Sequence, residues 1–349
     1  MRSGTKLQAL ALTALLVCGG ACAAETNPNH ETTLTRVRAA GVLHCGIDVE
    51  QAEYTTSDDH GNREAFDADL CRAVAVAVLG KDAQAKVAHY PDGSTAIKGL
   101  KKGEVEMVPT LSADFTHSAG TNLTQTRPVL WDGVGFLAPE GSPVTRARQL
   151  SGRKICFLAE TTVEESVRAW FAREKLNFVP FPFQEEGEMQ AAFATGNCGA
   201  LAGDRTRLAQ SRAALTRHGR QVRLLPETIS KDPLAAAVRD DDPQWTAIVT
   251  WVMEALVQAE ESGVTRANVQ AMSARAESDP TLRFLLGGSH QIGLDLGLDN
   301  DWAARVIAVT GNYGEIYERD MGSGSVLKLP RGENKLRIRG GAMEALAFK

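Results

Sequence analysis

The segment RKICFLAETTVEES, residues 153–166, joins a predicted strand to a predicted helix and carries several side chains that could do chemistry. Thr161 or Thr162 can cap that helix, and a following glutamate can close a capping box. Free N–H groups and the helix dipole favour an anion at such a helix start. The same stretch carries three acidic side chains, Glu160, Glu164 and Glu165. The helix start therefore either binds an anionic ligand or is occupied by the protein's own carboxylates.

Catalytic and metal-binding motifs are missing from the rest of the sequence. We find no G-x-S-x-G elbow, Walker loop, H-E-x-x-H or C-x-x-C pattern. The seven histidines are scattered, and none is paired at the spacing of helical metal ligands. We therefore predict no catalytic residue, no metal site and no cofactor.

Composition limits the function classes further. The chain has 349 residues, 43% of them hydrophobic, which is enough for two ordinary domains of roughly 150 residues each. The net charge is −5 and no sustained run of Lys or Arg occurs. A nucleic acid or an acidic membrane surface is therefore not the expected partner.

The first residues form a targeting segment. Arg2 and Lys6 precede the apolar stretch LQALALTALLV, which has 11 residues, and small residues follow it. A membrane-spanning helix needs about 20 apolar residues, so we interpret residues 1–23 as a cleavable secretory signal. The alternative is a lipoprotein anchored at Cys22, but Gly19 stands where a lipobox prefers Leu.

The cysteines outside the signal are consistent with export. Four remain, and an even number in an exported chain indicates disulfides, although four cysteines allow three pairings. The pairs Cys45–Cys71 and Cys156–Cys198 would each close a modest loop within one half of the chain. Four buried free thiols are the alternative.

Strands and helices alternate from residue 42 and then restart at residue 153, which predicts two similar α/β lobes. The chain becomes strongly helical after residue 241, and the apolar stripe led by Trp245 is expected to be core. An exported two-lobed protein without a catalyst suits a ligand binder, because ligands lie at strand carboxyl ends and between domains.

Several stretches resemble one family closely. They are RVRAAGVLHCGID, FDADLCRAVAVAVLG, LPETISKDPLAAAVRDDDPQW and GLDNDWAARVIAVTGNYGEIYERDMGSGSVLKLPRG. They are similar to the general L-amino-acid-binding proteins of bacterial ABC transporters, and the resemblance runs from about residue 33 to 338.

This resemblance implies an α/β periplasmic-binding-protein-like fold of type II, with a ligand cleft between two lobes and a helical C-terminal extension. Lobe one would comprise residues 33–137 and 235–349, and lobe two residues 138–234. The family also implies the two cysteine pairings above, a periplasmic location, delivery of a small ligand to permease subunits at the inner membrane, and a monomer.

The family's pocket can be placed residue by residue on this sequence. The arginine that grips the ligand α-carboxylate falls at His117, and the glycine of the helix start falls at Glu160. The acidic residue that accepts the α-ammonium falls at Asp204. The resemblance thus implies a ligand-binding set of Tyr54, Ser112, Asp114, His117, Glu160, Thr161, Thr162 and Asp204.

The amine acceptor is therefore kept while the carboxylate clamp is altered. Arg offers a charged bidentate fork, whereas His offers one donor and no permanent charge. If Glu160 points inward, the pocket should prefer amine-bearing ligands that lack a free α-carboxylate; if it points to solvent, an amino acid should still bind, weakly. A sensory or scaffolding protein that keeps this fold is the alternative of another class. A dehydratase is a third, but no catalytic acid and base can be placed.

Overall fold

The computed structural model describes Met1 and residues 31–48, 66–280, 282–287 and 292–348. The predicted signal after Met1, and Tyr54, lie outside the described residues.

The first part of the chain alternates helices and strands as predicted. Its elements are α1 (Thr33–Ala40), β1 (Val42–Asp48), α2 (Phe66–Leu79), β2 (Gln84–Tyr90), α3 (Gly93–Lys102) and β3 (Val108–Ser112). Strands β1 and β2 are parallel, with Val42 opposite Gln84. The Gly46 N–H donates to the Met107 carbonyl at 2.9 Å, which joins β1 to the segment leading into β3.

A three-stranded antiparallel sheet of order β3-β10-β4 was not expected from the sequence. Besides β3, it contains β4 (Leu123–Asp132) and β10 (Asp232–Arg239), and the short helix α4 (Phe115–Ser118) lies between β3 and β4 in the sequence. Strand β4 contains Pro128, a residue that is rare inside strands. Its residues also do not alternate regularly between buried and exposed positions, so its sequence carries no clear strand signal. Strand β10 lies between β3 and β4, far from both in sequence.

A five-stranded sheet of order β7-β6-β8-β5-β9 contains the predicted restart of the pattern. Its strands and helices are β5 (Val134–Pro139), β6 (Lys154–Leu158), α5 (Thr162–Arg173), β7 (Val179–Phe183), α6 (Glu186–Ala194), β8 (Ala200–Asp204), α7 (Arg205–Arg217) and β9 (Val222–Leu224). Strands β7, β6 and β8 are parallel, whereas β5 is antiparallel to both β8 and β9. The parallel strands end at one edge, where the helices that follow them begin.

The C-terminal part is helical, as predicted. Its helices are α8 (Pro243–Glu261), α9 (Val269–Ser273), α10 (Ile292–Asp295), α11 (Trp302–Thr310) and α12 (Tyr313–Asp320). Asp242 caps α8, and its Oδ1 accepts the Trp245 N–H at 2.9 Å. Trp245 is 1% exposed, so the stripe that it leads is core, as expected. We name residues 321–348, which follow α12, the C-terminal tail.

Buried apolar side chains form separate clusters around the sheets. One large cluster combines residues between 34 and 130 with residues between 234 and 343, chiefly through α2, α8, α11 and α12, and also includes Ala209 of α7. Two others consist of residues between 134 and 229, around the five-stranded sheet. The C-terminal helices thus share a core with the first part of the chain.

Both predicted disulfides are present. Cys45–Cys71 joins β1 to α2 with Cα atoms 6.2 Å apart, and Cys156–Cys198 joins β6 to the turn before β8 with Cα atoms 5.8 Å apart. Disulfides of this kind contribute about 2–4 kcal/mol each. Among the described residues, no helix combines the length and apolar character needed to cross a bilayer.

Candidate functional site

Four of the predicted ligand residues, Glu160, Thr161, Thr162 and Asp204, lie at the carboxyl edge of the five-stranded sheet. Strands β6 and β8 end there, and α5 and α6 begin there. A cavity of about 110 Å³ at this edge is lined by Thr161, Thr162 and Asp204, together with Glu186 and Arg207. Ligands of open α/β sheets bind outside the carboxyl ends of the strands, at helix N-termini.

At the start of α5, the protein's own carboxylate of Glu164 takes one backbone N–H. The Glu160 N–H donates to Glu164 Oε2 at 3.0 Å, and the Glu164 N–H donates to Thr161 Oγ1 at 3.4 Å. Arg168 Nε donates to Glu164 Oε1 at 2.8 Å. The hydrogen bonds from the Glu160 N–H and from Arg168 lower the pKa of Glu164. This is a variant of the predicted capping box.

Glu160 itself is exposed and adopts a left-handed backbone conformation, with φ of 59°. The inward orientation that was considered from the sequence is therefore not observed. A glycine adopts such a φ without steric cost, whereas an L-residue pays for it. Glu160 thus keeps the backbone of a glycine while adding an exposed charge.

Two charged residues of this cavity were not singled out from the sequence. Arg207 Nη1 donates to Glu186 Oε2 at 2.6 Å. Arg207 lies in the first turn of α7 and Glu186 begins α6, so this pair ties the two helix starts together. An acid at a helix start and a cation three residues after the strand-ending Asp204 were the signals available in the sequence.

The other predicted residues, Ser112, Asp114 and His117, lie together at the end of β3 and in α4. Asp114 Oδ1 accepts the His117 N–H at 2.9 Å, and Asp114 Oδ2 lies 2.7 Å from His117 Nδ1. Burial acts to raise the pKa of Asp114, but the hydrogen bonds from the His117 N–H and ring outweigh it and lower that pKa. Any positive charge on His117 is therefore matched within its own loop.

Asp232, the first residue of β10, belongs to the same cluster and was missed from the sequence. Burial raises the pKa of its carboxyl to about 6, although the Ser112 side chain acts to lower it. Asp132 and Asp114 act in the same direction as burial, whereas His117 lowers the pKa. The signal available was an acid beside Pro233 at the start of an apolar run.

Asp132, also missed, connects these two groups. Its carboxylate accepts hydrogen bonds from the Gly133 N–H at 2.8 Å and the Arg205 N–H at 3.1 Å, and from the Thr206 hydroxyl. It therefore caps α7, the helix that follows Asp204. Burial raises the pKa of Asp132 in spite of these hydrogen bonds.

The chain passes between the two sheet regions at Gly133 and again near Ser230. Val134 N–H donates to Ser230 Oγ at 2.9 Å, and Asp132 is paired with Asp232 in the β4–β10 ladder. Gly133 has φ of 147°, and a Cβ added there would lie 2.5 Å from the Ser230 carbonyl oxygen. The two connections therefore run side by side, and only glycine fits at this crossing.

The C-terminal tail braces this crossing from another side. Asn334 is buried; its Oδ1 accepts the Trp131 N–H at 2.6 Å, and its Nδ2 donates to the Trp131 carbonyl at 2.8 Å. Arg212 of α7 donates to the carbonyls of Leu327 and Lys328 in the tail. A cavity of about 550 Å³ lies between tail and crossing, but none of the predicted site residues that the structure describes lines it.

Comparisons with known proteins give one consistent result. No family model matches the chain. The chain is 39% identical to the general L-amino acid-binding periplasmic protein AapJ of Rhizobium johnstonii, over 97% of this chain and 98% of that protein. It is 36% identical to the glutamate/glutamine/aspartate/asparagine-binding protein BztA of Rhodobacter capsulatus, over 96% of each chain.

A solved structure agrees with these relatives. An ABC transporter periplasmic binding protein from Brucella ovis, with glutathione bound, superposes with a TM-score of 0.78 at 35% identity. The match covers 92% of this chain and 100% of that one. The expected two-lobed fold is thereby confirmed.

Proposed function

Because the chain belongs to the amino-acid-binding periplasmic proteins of bacterial ABC transporters, we propose that it is the solute-binding component of an importer in this class. It would bind a small ligand between its lobes and deliver that ligand to permease subunits at the inner membrane. The relatives are binding proteins and not enzymes, and they do not favour the sensory or scaffolding alternative.

The proposed organisation follows from this role. Residues 1–23 act as a cleavable signal that sends a monomeric protein to the periplasm. Lobe one comprises residues 33–137 and 235–349, and lobe two residues 138–234, with the hinge at the paired connections around Gly133 and Ser230. The membership of β5 and β9 in the five-stranded sheet supports a division close to these bounds.

We further propose that the pocket prefers an amine-bearing ligand without a free α-carboxylate and that, because Glu160 is exposed, an amino acid still binds, weakly. The observation that carries this proposal is the hydrogen bond from the Glu160 N–H to Glu164, because that N–H is no longer available to a ligand anion. On the facing loop, His117 is held by Asp114 where an arginine would supply a charged fork. Losing a buried charge-assisted contact costs about 2–5 kcal/mol in binding, which is a large factor in affinity.

Thermal unfolding of the mature protein, stripped of ligand by unfolding and refolding, tests the function. The panel contains L-amino acids, their amides, polyamines and small peptides. A ligand at 100 times its Kd stabilises a protein by about 2.7 kcal/mol, which is easily seen as a shift in Tm. We expect amides and amines to raise the Tm, and Asp204→Asn to abolish the shift. No shift with any compound would contradict a binding function.

A further inference from the structure

The cavity between the C-terminal tail and the crossing has the size of a ligand site. Its volume is about 550 Å³, whereas the cavity that Asp204 lines has about 110 Å³. Pockets for small molecules have volumes of about 300–1,000 Å³. Among the described residues, the two connections contribute Trp131 and Lys231 to its lining, and α7 contributes Arg205. The cavity therefore lies outside the predicted ligand set and has no role in the proposed function.

Arg205 brings a positive charge to this cavity without a matching carboxylate. Its Nη1 donates to the Leu225 carbonyl at 2.9 Å and to the Glu227 carbonyl at 3.3 Å, and both acceptors are neutral. Within the described ranges, no Asp or Glu forms an ion pair with its guanidinium, and its Nε and Nη2 have no hydrogen-bond partner. Arg331, which also lines the cavity, is by contrast paired with Glu260, with Nη1 2.6 Å from Oε1.

The acidic groups near Arg205 are engaged with other partners or exposed. Asp132 lines the cavity, but its oxygens accept the hydrogen bonds that cap α7. The Glu227 carboxylate lies 3.5 Å from Arg146. Glu333 lines the cavity from the tail and is exposed, so water screens its charge. Burial lowers the pKa of Arg205 even though neighbouring acidic groups act to raise it, so its charge is incompletely balanced.

Two further cations lie close to Arg205. Lys231 is exposed at the cavity and forms no ion pair among the residues that the structure describes. Arg212 lies two turns after Arg205 on the same face of α7. It donates to the carbonyls of Leu327 and Lys328, and burial, followed by the charge of Arg205, lowers its pKa. An anion in the cavity would offset this concentration of positive charge.

We propose that this cavity is a second ligand site, which binds a small oxyanion, carboxylate or phosphate, through Arg205 and Lys231. A guanidinium presents a planar fork of donors that matches the oxygens of either group. Thr228 and Ser230 also line the cavity, and their hydroxyls can donate to an anion. The inference goes beyond the proposed function, because it uses none of the residues of the interlobe cleft.

Calorimetry at pH 7, in dilute Tris chloride, tests this site with inorganic phosphate, succinate and the uncharged control succinamide. We expect phosphate or succinate to bind the mature protein with a Kd on the order of 1 mM or lower, and succinamide not to bind. The anion that binds more tightly identifies the class.

Two variants should weaken the binding of that anion. Arg205→Gln should raise its Kd by at least about tenfold, as for a lost charge-assisted contact. Lys231→Gln, at an exposed position that need not affect folding, should raise it by at least about threefold. Lys335→Gln is the control for net charge, because Lys335 is exposed in the tail outside the lining, and it should leave the Kd unchanged.

Three results would overturn the inference. They are no binding of either anion, equal effects of Lys231→Gln and Lys335→Gln, and loss of anion binding in Asp204→Asn, which would place the anion in the interlobe cleft. Should Arg205→Gln fail to fold, the comparison of the two lysine variants decides. The amine and amide panel tests the proposed function separately, so the two proposals can fail independently.

Discussion

The carboxylate of Glu164 lies 3.0 Å from the backbone nitrogen of Glu160 and accepts its hydrogen bond. One backbone N–H at a helix start that could hold a ligand anion is thus taken by a side chain of the same helix. This contact explains why retained threonines at 161 and 162 do not by themselves predict carboxylate binding. The effect of this charge on ligand binding can be tested by replacing Glu164.

Glu164→Ala should improve the binding of carboxylates. The substitution frees the Glu160 N–H and removes an anion from the helix start, so L-amino acids should bind roughly 3- to 10-fold more tightly relative to their amides. Glu165→Ala is the matched control, because Glu165 is exposed on the same helix turn. An equal change in both variants, measured by calorimetry, would indicate a general charge effect.

Glu160→Gly should stabilise the protein. Glu160 has φ of 59°, which costs an L-residue more than a glycine. We expect the free energy of unfolding in urea to rise by roughly 0.5–1 kcal/mol. Glu160→Ala removes the same charge but keeps the Cβ, so it should give no comparable gain. Equal gains would attribute the effect to charge.

Gly133→Ala should damage the hinge. Its φ of 147° and the Ser230 carbonyl oxygen, 2.5 Å from an added Cβ, both oppose a side chain. We expect a loss of about 3 kcal/mol or more, seen in urea unfolding or as failure to fold. Gly141→Ala, where a Cβ would meet nothing within 4 Å, should be close to neutral. A neutral Gly133→Ala would contradict the described crossing.

Asn334→Ala should loosen the C-terminal tail from β4. The Trp131 N–H and carbonyl both lose a partner, at a cost of about 2 kcal/mol in the free energy of unfolding. Glu333→Ala removes an exposed neighbouring side chain and should change little. Similar losses in the two variants would show that the tail tolerates no change there, and not that Asn334 braces Trp131.

Asp232 should make stability depend on pH. Burial raises its pKa in the folded protein from an ordinary 3.8 to about 6, so the folded state binds a proton more tightly than the unfolded state. Its contribution to stability is therefore full below about pH 4 and is lost as the pH rises through 6. Asp232→Asn should remove this decline and stabilise the protein at pH 7 by an amount on the order of 2 kcal/mol. An unchanged pH profile in urea unfolding would contradict a raised pKa.

The regular part of the fold was predictable because its signals are local. The helix over Pro243–Glu261 and the parallel strands Lys154–Leu158 and Val179–Phe183 follow from apolar periodicity and nearby caps. The pairing of Cys45 with Cys71 was likewise favoured by loop length, and the family resemblance implied it independently. Such features need no knowledge of distant contacts.

The missed features depend on contacts between distant segments. Asp132 and Asp232 are 100 positions apart, and only the antiparallel pairing of β4 with β10 brings them together. The role of Asn334 depends on its contact with Trp131, 203 positions away. Glu160 shows the converse: the sequence left its orientation open, and in the structure it is exposed, with a left-handed backbone, while Glu164 takes its N–H.

The most direct test of the account compares one L-amino acid with its own amide. The side chain is the one that gives the largest melting shift in the panel, and both compounds are titrated calorimetrically into the stripped, mature wild-type protein at pH 7. We predict that the amide binds at least about tenfold more tightly, because no charged clamp receives the α-carboxylate. Equal or tighter binding of the free amino acid would contradict it.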